Sequence, residues 1–560
     1  MKRIVITALF AIVTLCTNAQ SYHICNDNGT SLEIPVEENQ EITFDASQQL
    51  IRFHNNGNLT HTFATAHVDS IKSVKPIALT PLTYDREFDV SYDATEEENF
   101  TETVESIIED ESNEEYGDFV EHYQKENLSL VTIDFSETSV KVTPTSVSGI
   151  TFTVKDKTHL TIESTISKVR YNVKGTCSNG SLKIYSTKKF QLMMGGLELT
   201  NPKGPAINIQ TSKTIYFTIG AGTTNTLCDG ATYATPTVTN NVEEDQKGTL
   251  FSEGQLIFNG NGTLNVTSLG GHAICSDDYI RIRSGKINIL SSLKDGFHTN
   301  DMFIIGRTEK YSPIINITCT NDAIDCGKGG IRIDAGKTII NSGGEGLKAS
   351  YAEANPDPLI IPDINITGGF IKIKTSGAKS SAIKATGKYS QTGGTVQATT
   401  EGNGSKIINC DNSISIRGGR ITGIATGTIH MEDTTSSAGI KSAENILIGN
   451  AIVSIKCSGA GAKAINGDAD VTIENGRVTL LAIGENIYDN TDNKKSRAIS
   501  CNNFTINDGI VKALAYDKAI SAASVTMNSG TLHAISSNDI EAVNVEPIQK
   551  GGWIMVKGEE

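Results

Sequence analysis

Apolar and polar residues alternate in short runs along most of this chain, and the runs recur. One apolar position serves as an anchor: Leu250, Ile274, Phe297, Ile324, Leu347, Ile383, Ile408, Ile440, Ile465, Ile499 and Ile520. The spacing is 21 to 25 residues in the shortest units and 27 to 36 in units that carry a loop. The residue before the anchor is nearly always small, as in Ala273, Gly296, Ala323 and Gly346. Two after it the residue is small again: Ser276, Thr299, Cys326, Ala349, Ala385, Cys410. A second alternating pair follows (Ile280 and Ile282, Ile331 and Ile333, Ile414 and Ile416), then a Gly-bearing turn such as Gly368-Gly369, then a third run such as Ile371 and Ile373.

Alternation with period two places one face of a strand inward. Three such strands per unit bury that face only if the unit closes into a coil and neighbouring coils stack at ~4.8 Å. The pattern therefore predicts an all-β chain: a right-handed, single-stranded parallel β-helix over residues 128–540, about a dozen coils and roughly 60 Å long. A β-sandwich has no fixed period with a constant small corner. Residues 20–75 alternate more loosely, as in Leu50-Ile-Arg-Phe53, and are expected to form a small β-rich N-terminal module or cap, the open first coil being the edge in need of cover. Residues 541–560 are read as a C-terminal tail or cap.

Residues 1–19 read as a signal peptide, with Lys2 and Arg3, an apolar stretch from Ile4 to Leu15, and Thr17-Asn18-Ala19 as the cleavage site. A lipoprotein anchor at Cys16 is disfavoured by Leu15, which stands where a small residue is wanted. No later apolar run approaches the ~18 residues of a membrane span. The expected location is thus periplasmic, extracellular or at the cell surface.

Of the net charge of −16, residues 93–127 carry −13, from fourteen acids against Lys125, which leaves −3 for the rest. Residues 76–127 are read as an acidic linker or exposed helix, and no basic footprint for nucleic acid is present. Nine cysteines follow the signal, an odd number, without a Cys-x-x-Cys pair. Cys326, Cys410 and Cys501 fall on the small interior column and Cys319 and Cys457 on inward strand phases, so they are read as packing residues.

Candidate chemistry lies on the outward columns. Two before the anchor run His272, Asp295, Asp322 and Glu345; one after it run Cys275, His298, Asp325, Lys348, Lys384, Asn409 and Lys441. Like charges stacked at ~4.8 Å repel by roughly 3–4 kcal/mol at an effective dielectric near 20. Something should offset this. Either Lys294, His298, Lys328 and Lys348 neutralise the acids, or a hard cation such as Ca²⁺ does, with Asp277, Asp278, Asn300 and Asp301 nearby. Lys348, Lys384 and Lys441 form a track suited to the carboxylates of an acidic ligand, and His298 stands beside it. The carboxylates and basic residues do not fall in a hydrolase order, and no lysine or arginine stands out as a proton abstractor. Catalysis is left uncertain, leaning against it; a polysaccharide lyase is the enzyme alternative.

The stretch Asp295-Gly-Phe-His-Thr-Asn-Asp301 resembles bacterial β-helical carbohydrate-binding proteins whose coils read Asp-Gly-Ile-x-x-x-Asp and then Leu-x-Ile-x-Gly-Gly. Ala206-Ile-Asn-Ile209 with Gly222 to Gly230, and Gly248-Thr-Leu-Phe-Ser252 through Gly262-Thr-Leu264, are similar to the same family. The resemblance covers roughly residues 130–540. It implies a calcium-bearing β-helix that binds acidic plant polysaccharide such as polygalacturonate without established catalysis. Asp278, Asp295, Asp301, Asp322 and Asp325 fall on its acidic coil positions and are the implied metal residues. After Glu345 the chain departs, with Ser381, Lys406, Lys463 and Arg497 where relatives often carry acids. A surface adhesin or spacer displaying the 350–363 and 427–437 insertions is the remaining alternative. Oligomeric state is not legible in the sequence.

Overall fold

The computed structural model describes residues 21–26, 31–35, 40–74, 90–98, 128–239, 242–306, 312–350, 361–488, 493–538 and 541–558. The expected signal peptide and most of the acidic segment lie outside these. The chain divides into two compact units, residues 92–443 and residues 1–91 with 444–560.

In the 92–443 unit, the alternating runs become three short parallel strands per coil. One coil is Ile324–Cys326, Ile331–Ile333 and Lys337–Ser342. The next is Leu347–Ala349, Ile364–Ile366 and Phe370–Thr375. The anchors pair in register as Leu250, Ile274, Phe297, Ile324, Leu347, Ile383, Ile408 and Ile440. This is the column read from the sequence, and every member is fully buried. Each such side chain contributes roughly 1.5–3 kcal/mol by leaving water. The small interior column stacks beside it, including Cys326 and Cys410, both buried and unpaired. Cys319 and Cys457 are buried free thiols as well, and Cys501 is a half-buried one.

The first coil of this unit does not need the N-terminal module as a lid. Ser139–Thr143 folds back antiparallel on Ser129–Ser136, and Ile150–Lys155 on His159–Ser164. The chain covers its own opening edge. On the outside, Asn288 donates to Asn265 and Asn316 to Asn288, each at 2.8 Å, so three coils are also tied by an amide ladder.

In the other unit the coils repeat the same logic, with Ile465, Ile499 and Ile520 in register. Parallel pairing continues beyond residue 540: Trp553–Gly558 lies on Thr531–Ser536. The N-terminal module packs here. Asn58–Ala64 pairs antiparallel with Trp553–Gly558, so the module covers the last strand of this unit. Its core is Ile24, Ile34, Ile51, Phe53 and Phe63, against which Trp553 packs.

Candidate functional site

The outward columns converge on one face of the 92–443 unit. Asp295 is almost fully buried at the corner before its strand; its Oδ1 accepts from Asn321 Nδ2 at 2.6 Å and from the Asp322 N–H at 3.2 Å. Its Oδ2 lies 3.1 Å from Nδ1 of both His272 and His298. The two imidazoles stack, with centroids 4.5 Å apart. His298 Nδ1 also lies 3.4 Å from Asp325 Oδ2. Lys348 Nζ sits 2.9 Å from Asp322 and 3.4 Å from Asp325, and Lys384 Nζ 2.8 Å from Glu345. The acids are thus interleaved with cations along successive coils.

Burial would raise the Asp295 carboxyl, but the bonds from His272 and His298 outweigh it and hold it well below the usual range. His298 is lowered by burial, yet Asp295 and Asp325 push it up to about 9. His272 is lowered by burial, against the pull of Asp295. Asp322 is raised, by burial first and by the Glu345 carboxylate next, while Glu345 is lowered, its bonds with Asp322 and Lys384 outweighing burial.

Of the acids implied as metal residues, the structure brings Asp295, Asp322 and Asp325 together within 4.8 Å and places Asp278 and Asp301 apart from them. Asp278 and Asp301 follow their strands on neighbouring coils, joined by the Asp301 N–H to the Asp278 carbonyl at 3.1 Å. Asp278 is raised by burial, and the Asp301 charge adds to that. The first set does not fit calcium as it stands. An ammonium occupies the space between Asp322 and Asp325, and imidazole nitrogens, poor ligands for a hard cation, face Asp295. The second set offers oxygen donors alone.

The expected lysine column is in register, Lys348 beside Lys384 and Asn409 beside Lys441. Lys348 and Lys384 are engaged with the acids, and Lys441 Nζ reaches the Ser442 carbonyl at 3.5 Å. Sequence reasoning missed the focus of this track. Lys406 Nζ, half-buried, donates to the Gly404 carbonyl at 2.9 Å. Its pKa is lowered to about 8 by burial and by Lys379, Lys441 and Lys384, with Asp433 opposing. The 427–437 insertion lies against this site, held by Lys379 to Asp433 at 2.6 Å and by Thr428 to Asn403.

Two more departures involve segments outside the repeat. Cys275, placed on an outward column, is fully buried, with the charges of the 245–247 segment near it. That segment also brings Asp245 to Glu253 and Asp277, with Lys247 Nζ 2.7 Å from both Asp245 and Asp277. The start of the acidic segment is the short helix Ala94–Glu98, exposed at Ala94 and Thr95, from which Glu97 pairs with Lys372 and Lys337, and Glu96 with Arg420. Loop covers and distant acids leave no periodic signal, so spacing could not reveal them.

Coils with interior columns and an outward polar face define a class of β-helical surface binders. The family described as carbohydrate-binding domain-containing protein matches residues 156–480, more than half of the chain, and the chain belongs to that family. None of the curated proteins matches it. A solved structure described as a polysaccharide lyase-like protein from C. thermocellum, a gadolinium derivative, is similar at 21% identity and a TM-score of 0.36, over 51% of this chain and 96% of that one. Among the described residues no helix is long and apolar enough to cross a membrane.

Proposed function

We propose that this chain is an exported, non-catalytic protein that binds acidic polysaccharide, polygalacturonate-like in its regular spacing of carboxylates. The single observation that carries this is the half-buried Lys406 ammonium, bonded to the Gly404 carbonyl and lowered to about 8 by burial first, with Lys379, Lys441 and Lys384 adding to it. A cationic site under such mutual repulsion gains most from a ligand carboxylate, since each new pair relieves a like-charge contact. The family match supports a carbohydrate as the ligand class. Calcium, implied by the resemblance, is assigned to Asp278 and Asp301, whose donors are all oxygen, and is not routed through Asp295, Asp322 and Asp325.

One observation favours a lyase: a lysine with pKa about 8 is in the range of a general base. Lys406 stands four coils from Asp301, however, or about 19 Å at the coil spacing. Calcium at Asp278 and Asp301 could not acidify a proton beside Lys406. Binding is therefore the reading with the fewer requirements.

The test is retention on immobilised polygalacturonate against a neutral glucan. Wild type should be retained on the first alone, and Lys406→Ala with Lys441→Ala should release it. Equal retention on the neutral glucan would overturn the acidic specificity, and unsaturated uronide products would overturn the non-catalytic reading. Retention and melting temperature unchanged by EDTA would remove calcium from the proposal.

A further inference from the structure

The convergence of two imidazoles on one buried carboxylate is a different matter from the acidic column. We propose that His272, Asp295 and His298, whose donor atoms lie together, form a binding site for a divalent transition-metal ion of the zinc class, with a fourth position left to water or a ligand. The donor set is two ring nitrogens and one carboxylate oxygen, which suits zinc and its neighbours and not calcium. The spacing suits it too. Four ligands at about 2.0–2.1 Å from a tetrahedral ion stand about 3.3 Å from one another. Asp295 Oδ2 lies 3.1 Å from each Nδ1.

The supporting shell is already built. Asp295 Oδ1 is fixed by Asn321 and by the Asp322 N–H, which leaves Oδ2 directed at the rings. Such outer bonds orient the carboxylate and are the usual companions of a metal ligand. The stacked rings come from successive coils, so the site is held by rigid strands and needs no loop to close. Two contacts compete: the Asp295 N–H points at His272 Nδ1 at 3.3 Å, and Asp325 Oδ2 lies 3.4 Å from His298 Nδ1; an ion would replace both.

The experiment uses the full, tag-free chain, stripped with chelator and titrated calorimetrically with Zn²⁺ and separately with Ca²⁺ at neutral pH. One equivalent of Zn²⁺ should bind at this site, and Co²⁺ in its place should give visible d–d absorption. His298→Gln and Asp295→Asn should each weaken Zn²⁺ at least about tenfold, while Lys441→Ala should not. Crystals of wild-type protein soaked with Zn²⁺ should show an anomalous peak between His272 and His298, a readout that no misfolded variant can confound. No Zn²⁺ binding, a peak elsewhere, or retention of full affinity by folded His298→Gln overturns the proposal. Loss of glycan retention would not touch it, because the site rests on neither the lysine track nor calcium.

Discussion

Phe63 of the N-terminal module lies directly opposite Trp553 of the last strand, their rings edge to face at 5.4 Å and 82°. The pair joins the two ends of the chain within one unit. Trp553 is the single tryptophan of the sequence, so its emission reports on this contact alone. Native protein should emit in the blue and shift to the red as denaturant opens the contact. Trp553→Ala should lower the stability of this unit by about 2–4 kcal/mol, and Trp553→Phe by less. An unchanged midpoint in Trp553→Ala would mean that the module does not hold the terminal strand.

Gly402 is dictated by its neighbour. A Cβ there would lie 1.8 Å from the Gly377 carbonyl oxygen, and one at Gly427 would lie 1.9 Å from that of Gly402. Backbone cannot retreat without breaking coil register. Gly402→Ala should therefore destabilise by more than about 2 kcal/mol in chemical denaturation, far beyond an ordinary exposed substitution.

Acidic-glycan retention should fall as pH rises through 8. Lys406 is charged below that value and neutral above it, and it faces Lys379, Lys384, Lys441 and Asp433. Its folded pKa lies below its unfolded one, so between about 8 and 10.5 the unfolded chain binds more protons and this group makes folding more favourable as pH rises. Binding and stability should move in opposite directions across that window. Lys406→Arg should keep retention flat to higher pH, as chromatography at stepped pH would reveal; a fall identical to wild type would assign the titration elsewhere.

Glu96 and Glu97 occupy Arg420, Lys337 and Lys372 as an acidic ligand would. The Lys372 bond holds Glu97 below the usual carboxylate range. The Glu96→Gln, Glu97→Gln double variant should bind acidic polysaccharide more tightly at low salt and show a steeper salt dependence. Retention equal to wild type at both ionic strengths would show that this basic face takes no part.

The interior was legible because it is periodic. Ile274, Phe297 and Ile324 obey one rule, and the same rule placed Cys326 and Cys410. The outward columns were legible as addresses, since strand register fixes which residues stack. Their partners were not. Lys348 between Asp322 and Asp325, or His272 beside Asp295, depends on side-chain reach across coils, which sequence spacing does not state. Contacts made by segments outside the repeat, such as Tyr233 on Asp229 or Phe63 on Trp553, follow chain paths with no period to read.

The alternation of charge from Asp295 through His298, Asp325, Lys348 and Glu345 to Lys384 carries a further meaning. Interior columns of near-identical residues would let coils slip by one repeat with little penalty. The exterior ion pairs link particular coils, Lys348 to Asp322 and Asp325 and Lys384 to Glu345 of the coil before, so a slip would part them. The ladder numbers the coils, and a stack that counts its own layers folds to a single length.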